Sequence, residues 1–74
     1  MTEETYNTIH TQVGGNHYSK MAITPFEYAY RNHLDAISFS IVKYVSRFRD
    51  KNGREDLEKA KNCIDQLIAL EYGE

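Results

Sequence analysis

Apolar residues recur at intervals of three and four in the second half of the chain, the spacing of an amphipathic helix. The first such stripe consists of Ile37, Ile41, Tyr44, Val45 and Phe48. The second consists of Leu57, Ala60, Ile64, Leu67 and Ile68. The spacing predicts helices over about 36–49 and 54–71, each with its stripe in the core. Asn52-Gly53 between them predicts a short turn and therefore an antiparallel helix hairpin.

Polar residues mark where these helices begin and end. Thr24, Pro25 and Glu27 form the pattern of a capping box, which predicts a short helix over about 25–32 with Phe26 and Tyr28 facing inward. Asp35 is positioned to cap the first helix of the hairpin, and Gly73 to stop the second.

The first 22 residues lack helical periodicity and contain Gly14-Gly15. They are predicted to form an irregular N-terminal arm, with a short extended piece around Thr8–Val13. The expected fold is mainly α: the arm over 1–22, then a small helical domain over 23–74.

Phe39 and Val42 lie outside the main stripe of their helix. A chain of 74 residues has a thin core, and its single cysteine, Cys63, forms no internal disulfide. A second apolar face is then best explained by a partner subunit, so we predict a homo-oligomer.

Composition restricts the class of protein. No segment approaches the apolar length of a membrane helix, and the N-terminus is acidic, so we expect no membrane partner and a cytoplasmic location with Cys63 reduced. Cys63 and the three histidines have no zinc spacing, and no metal site is predicted.

Positive charge is concentrated around the hairpin turn, although the net charge is -2. Residues 43–61 contain seven Lys or Arg against four Asp or Glu. A local basic site on an acidic body suits a small anionic ligand better than a long nucleic acid. The predicted phosphate-binding cations are Lys43, Arg47, Lys51, Arg54 and Lys59. The alternative is an ordinary solvated turn.

Three further residues are candidates beside these cations. His17 and Tyr18 follow the glycine pair and could stack on a base, or Tyr18 could simply fill a gap in a loop. Asp56 could hold Mg²⁺, or could be a favourable negative charge in the first turn of a helix. The phosphate-loop and dinucleotide fingerprints are absent from the sequence.

The order of these motifs resembles a small phage-encoded family, the SaV-like domain of unknown function, whose relative is a small nucleotide kinase of a T-odd coliphage. The resemblance covers about residues 16–70. The residues that carry it are His17, Tyr18, Pro25, Lys43, Tyr44, Arg47, Lys51, Gly53, Asp56, Leu57, Lys59 and Ala60. It implies phage nucleotide biology in the cytoplasm of an infected bacterium.

Three functions are then open. In the first, the protein binds a phosphorylated nucleotide, such as a host immune signal, at subunit interfaces and catalyses no reaction. Alternatively, it is a kinase that phosphorylates deoxynucleoside monophosphates with Mg²⁺ and ATP, or a helical adaptor that binds a host protein. The short chain favours capture over the kinase. A kinase must enclose two nucleotides and a metal in a site that excludes water, and 74 residues provide little protein for that. Whether the protein is an enzyme stays open.

Overall fold

The computed structural model describes residues 1–10 and 20–73. In these ranges the chain forms four α-helices and no strand: α1 (Glu3–His10), α2 (Pro25–Arg31), α3 (Ala36–Arg47) and α4 (Arg54–Tyr72). A 3-10 turn over Phe48–Asp50 follows α3. The mainly α fold is therefore confirmed, and α3 and α4 pack against each other as the predicted hairpin.

The prediction of an irregular N-terminal arm is wrong for residues 3–10, which form α1. The Thr2 hydroxyl accepts a hydrogen bond from the Thr5 backbone N–H at 3.0 Å, which is N-capping. Two acidic residues in the first turn add a favourable interaction with the helix dipole. The expected extended piece is helical through His10, and its other residues lie outside the described ranges.

Helix α2 begins as predicted and ends one residue early. The Thr24 hydroxyl accepts from the Glu27 backbone N–H at 3.1 Å, while the Glu27 carboxylate accepts from Arg31 at 3.0 Å. The prediction that Phe26 and Tyr28 face inward is wrong, since both side chains are exposed. Pro25 and Ala29, four positions apart, form the buried side instead.

The hairpin helices have the predicted caps. Asp35 accepts from the Ser38 backbone N–H and hydroxyl, both at 2.8 Å, at the start of α3. In the turn, Gly53 has φ 56° and ψ −126°, and its N–H donates to the Phe48 carbonyl at 2.7 Å. Gly73 ends α4 in the left-handed conformation with φ 72°.

Helix α2 packs on α3 beside the face that was assigned to a partner subunit. The rings of Phe26 and Phe39 are 5.0 Å apart, and Val42 lines a groove with Pro25 and Tyr28. Phe39 and Val42 thus contact α2 of the same chain and stay partly exposed, and their contact with another subunit stays a prediction.

The core is thinner than the two stripes predicted. Among the described residues the buried apolar side chains are Pro25, Ala29 and Ala60. Four residues of the predicted core stripes, Val45, Leu57, Ile64 and Ile68, are each 40 to 46% exposed. In the described residues α3 packs against both α2 and α4, and α4 packs chiefly on α3, so part of each stripe is left uncovered.

Candidate functional site

An ion pair joins the two helices beside the turn. Arg47, at the end of α3, donates from Nε and Nη2 to the two carboxylate oxygens of Asp56, each at 3.3 Å. Asn52 donates to the same carboxylate from its backbone N–H and its side-chain amide, both at 3.4 Å. The Asp56 side chain is fully buried, and these donors offset the cost of removing its negative charge from water.

The environment of Asp56 favours its ionised form. Burial raises the pKa of the carboxyl, but the hydrogen bonds from Arg47 and Asn52 and the positive charge of Arg47 outweigh that effect and lower the pKa. Asp56 therefore acts as an anionic anchor for the turn, and Arg47 supplies its counter-charge. Both residues were predicted to bind ligand; the structure gives each a structural task as well.

The Tyr44 ring is surrounded by positive charge. Among the described residues, three cations approach its centroid: Lys43 Nζ at 4.8 Å, Arg47 Cζ at 5.0 Å and Lys59 Nζ at 5.8 Å. Each distance is within the range of a cation–π interaction. Four predicted site residues, Lys43, Tyr44, Arg47 and Lys59, are thus brought together, and we call them the basic cluster.

The cluster continues into an aromatic row toward α2. Lys43 Nζ lies 5.8 Å from the centroid of the Phe39 ring, which in turn contacts Phe26. Lys59 also has an acidic neighbour, Glu55, at 3.7 Å. No carboxylate of the described part of the chain forms an ion pair with Lys43, whose ammonium rests between two aromatic rings.

Two other predicted cations lie away from Tyr44. Arg54 is 90% exposed and pairs with Glu58 at 3.4 Å on the outer side of α4. Lys51 is exposed in the turn. Neither is among the cations that approach the Tyr44 ring, and their part in binding a ligand stays a prediction.

A family model described as a protein of unknown function, DUF3310, matches residues 13–65. The chain belongs to the DUF3310 family. No curated protein and no solved structure matches it. The DUF3310 segment contains all four residues of the basic cluster and both Asn52 and Asp56, whereas α1 lies outside it.

The remaining predictions for this DUF3310 chain concern the glycine-pair segment, metal ligands and the membrane. His17 and Tyr18 lie outside the described residues. Residues 1–10 and 20–73 contain no group of three or more His, Cys, Asp or Glu side chains suited to a metal ion. No helix in these ranges is long and apolar enough to cross a membrane.

Sequence reasoning missed two contributors to the site. Asn52 was interpreted only as a turn residue, although its position four before Asp56 allows its amide to reach that carboxylate. Phe39 was assigned to a partner interface. Its place four residues before Lys43 on α3 is the signal that could have placed its ring beside that ammonium.

Proposed function

We propose that the protein captures a phosphorylated nucleotide at the basic cluster. The observation that carries the proposal is the Tyr44 ring with Lys43, Arg47 and Lys59 around it. An aromatic ring offers a stacking surface for a base, and adjacent cations offer donors for phosphate oxygens. This combination stands out on a chain whose net charge is -2.

The roles within the cluster differ. Lys43 and Lys59 bind the phosphate as mobile point charges, and Tyr44 with Phe39 supplies aromatic surface. Arg47 contributes its positive field while it holds Asp56. His17 and Tyr18, which follow the glycine pair in the sequence, stay the predicted residues for contact with the base.

The same resemblance supports a phage setting. The captured ligand is then a nucleotide of the infected bacterium, including the signal nucleotides of host immunity, and the protein acts by sequestering it as an oligomer. Capture requires only binding, which a cluster on an open surface can provide.

Titration calorimetry with linear and cyclic nucleotides, including deoxynucleoside monophosphates, tests the proposal. We expect Lys43→Ala to weaken binding of the preferred nucleotide by about 10- to 100-fold, the typical effect of one charge-assisted hydrogen bond. Binding should also weaken as salt is raised, because exposed cations are screened.

Lys61→Ala is the matched control, since it removes an exposed cation from the same helix as Lys59 but about 200° away around it. Its affinity should equal that of the wild type. Arg47→Ala is unsuitable, because it leaves the buried Asp56 charge without its partner. Equal binding by the wild type and Lys43→Ala, or no binding of any nucleotide, would contradict the proposal.

The kinase alternative assigns Mg²⁺ coordination to Asp56. Both Asp56 oxygens already accept hydrogen bonds, and the side chain is fully buried, which favours capture over catalysis at this residue. Turnover of a deoxynucleoside monophosphate with Mg²⁺ and ATP would overturn that preference. Binding to a host protein that depends on Phe39 or Val42 rather than on Lys43 would instead support the adaptor.

A further inference from the structure

Two phenylalanine rings extend the aromatic surface of the basic cluster toward α2. The ring centroids of Phe26 and Phe39 are 5.0 Å apart at an interplanar angle of 31°, so the two rings pack together where α2 meets α3. The Phe26 side chain is 62% exposed, and Phe39 is half-buried. We call these two residues the phenylalanine pair, and its exposed ring offers a flat apolar surface to a ligand.

Lys43 lies between this pair and Tyr44. Its Nζ atom is 4.8 Å from the centroid of the Tyr44 ring and 5.8 Å from the centroid of the Phe39 ring. Among the cations of the described residues, Lys43 is the one that approaches both rings. The surface therefore presents an aromatic ring, a positive charge and a second aromatic surface, in that order.

We propose that the ligand of this site is a dinucleotide, linear or cyclic. One base stacks on Tyr44, the other stacks on the phenylalanine pair, and the phosphate that joins the two nucleosides binds Lys43. This inference rests on the proposed nucleotide capture and names the class of nucleotide. Aromatic side chains stack bases of any kind, because every base has a π-face. A mononucleotide would use Tyr44 and Lys43 but would leave the phenylalanine pair without a base.

The contacts of the three cluster cations assign the central phosphate to Lys43. Its ammonium is a point charge on a flexible stem, so it can follow a phosphate while the rings on either side stay in place. Arg47 is held by Asp56, and Lys59 has Glu55 at 3.7 Å. No carboxylate of the described residues forms an ion pair with Lys43, so a phosphate displaces none when it binds there.

The distribution of charge favours a short ligand over a long strand. Proteins that bind long single strands carry a basic groove that follows many phosphates, whereas this chain has a net charge of -2 and three cations around Tyr44. Phe26 also lines a groove with Glu27 and Arg31, which pair with each other at 3.0 Å and so offer no net charge to a further phosphate. The described residues thus provide for two bases and the phosphate between them.

Titration calorimetry of the wild type tests the inference. Linear and cyclic dinucleotides of each of the four bases are compared with the mononucleotide and with the nucleoside 3′,5′-bisphosphate of the same base. The bisphosphate carries the second phosphate but no second base. The preferred dinucleotide should bind about 10- to 100-fold more tightly than either of them, the effect of stacking one additional base.

Phe26→Leu tests the place of the second base. It removes an exposed ring and should lower the ratio of dinucleotide to mononucleotide affinity about 10-fold. Tyr28→Leu is the matched control, because it removes a 47% exposed ring from the same helix but about 200° away around it. The ratio for Tyr28→Leu should equal that of the wild type.

The outcomes separate this inference from nucleotide capture. A wild type that binds a mononucleotide as tightly as every dinucleotide would overturn the inference and leave capture standing, whereas no binding of any nucleotide would contradict capture itself. Affinity that keeps rising from the dinucleotide to a tetranucleotide of the same base would indicate a longer single strand and would also overturn the inference.

A second measurement decides the matter if Phe26→Leu fails to fold. NMR of the wild type with the bound dinucleotide should show contacts between the ring protons of the phenylalanine pair and the protons of one base. A bound dinucleotide whose bases contact neither Phe26 nor Phe39 would refute the assigned place of the second base.

Discussion

Arg47 and Asp56 form a two-pronged ion pair that fastens the end of α3 to the first turn of α4, nine residues later. The pair does two things at once. It neutralises a fully buried carboxylate, and it holds the Arg47 guanidinium 5.0 Å from the Tyr44 ring. The stability of the turn and the geometry of the basic cluster are therefore linked through one side chain.

The ion pair predicts a dependence of stability on acid. The pKa of Asp56 in the folded protein is below its ordinary value of 3.8, so its contribution to stability is complete above 3.8 and is lost as the pH falls from there through the lower pKa of the folded state. Asp56→Asn should lower the melting temperature at pH 7 and reduce the further fall between about pH 5 and pH 2. Thermal unfolding followed by circular dichroism at several pH values measures both effects.

Asp65→Asn serves as the comparison, because Asp65 is exposed on the same helix. It should leave the melting temperature at pH 7 close to that of the wild type. Some acid dependence should remain in Asp56→Asn, since the hydrogen bonds from Ser38 also lower the pKa of Asp35. If the melting temperature of Asp56→Asn fell with pH in parallel with that of the wild type, the ion pair would be ruled out as the main source of the acid dependence.

The cap of α2 predicts a specific loss of stability. Thr24→Val keeps the side-chain volume but removes the oxygen that accepts from the Glu27 N–H. We expect it to lower the free energy of unfolding by about 1 kcal/mol, as other N-cap losses do. Thr24→Ser retains the acceptor and should lose less. Urea denaturation compares the two, and a Thr24→Val variant as stable as the wild type would contradict the contribution of the cap.

The junction between α2 and α3 contains a strained residue. His33 has φ 55°, a left-handed conformation that favours glycine. His33→Gly should raise the free energy of unfolding by a few tenths to about 1 kcal/mol. Glycine removes the steric penalty of the left-handed conformation in the folded state, and the greater entropy of glycine in the unfolded chain offsets part of that gain. Asn32→Gly, at φ −98°, should instead lower it. A His33→Gly variant less stable than the wild type would mean that the ring contributes contacts that outweigh the strain.

The two positive-φ glycines should differ in their tolerance of alanine. Neither has an atom within 4 Å of an added Cβ, so only backbone conformation matters. Gly73, at φ 72° and ψ 25°, is in the left-handed helical region, where alanine costs about 1 kcal/mol. Gly53, at φ 56° and ψ −126°, is outside it, so Gly53→Ala should cost more, up to about 3 kcal/mol. Urea denaturation of both variants checks the order, and equal losses would contradict it.

The sequence by itself determined the local structure from α2 onward. Thr24, Asp35, Gly53 and Gly73 act through hydrogen bonds and backbone preferences within a few residues, so the predicted helix bounds agree with the structure to within two residues. The α1 helix was missed because its cap, Thr2, precedes a segment with no apolar stripe. Of the predicted site, Lys43, Tyr44 and Arg47 were predictable as a group because they share one helix.

Only the tertiary structure decided which apolar surfaces are covered. Periodicity shows that a stripe is apolar but cannot show what packs against it, and so Phe39 was assigned to a partner while Leu57, Ile64 and Ile68 were assigned to the core. In the structure the Phe26 ring of α2 contacts Phe39, and Leu57, Ile64 and Ile68 are each 40 to 43% exposed rather than buried. Contacts between α3 and α4 likewise brought Lys59 to Tyr44 and Asp56 to Arg47, which spacing along the chain does not encode.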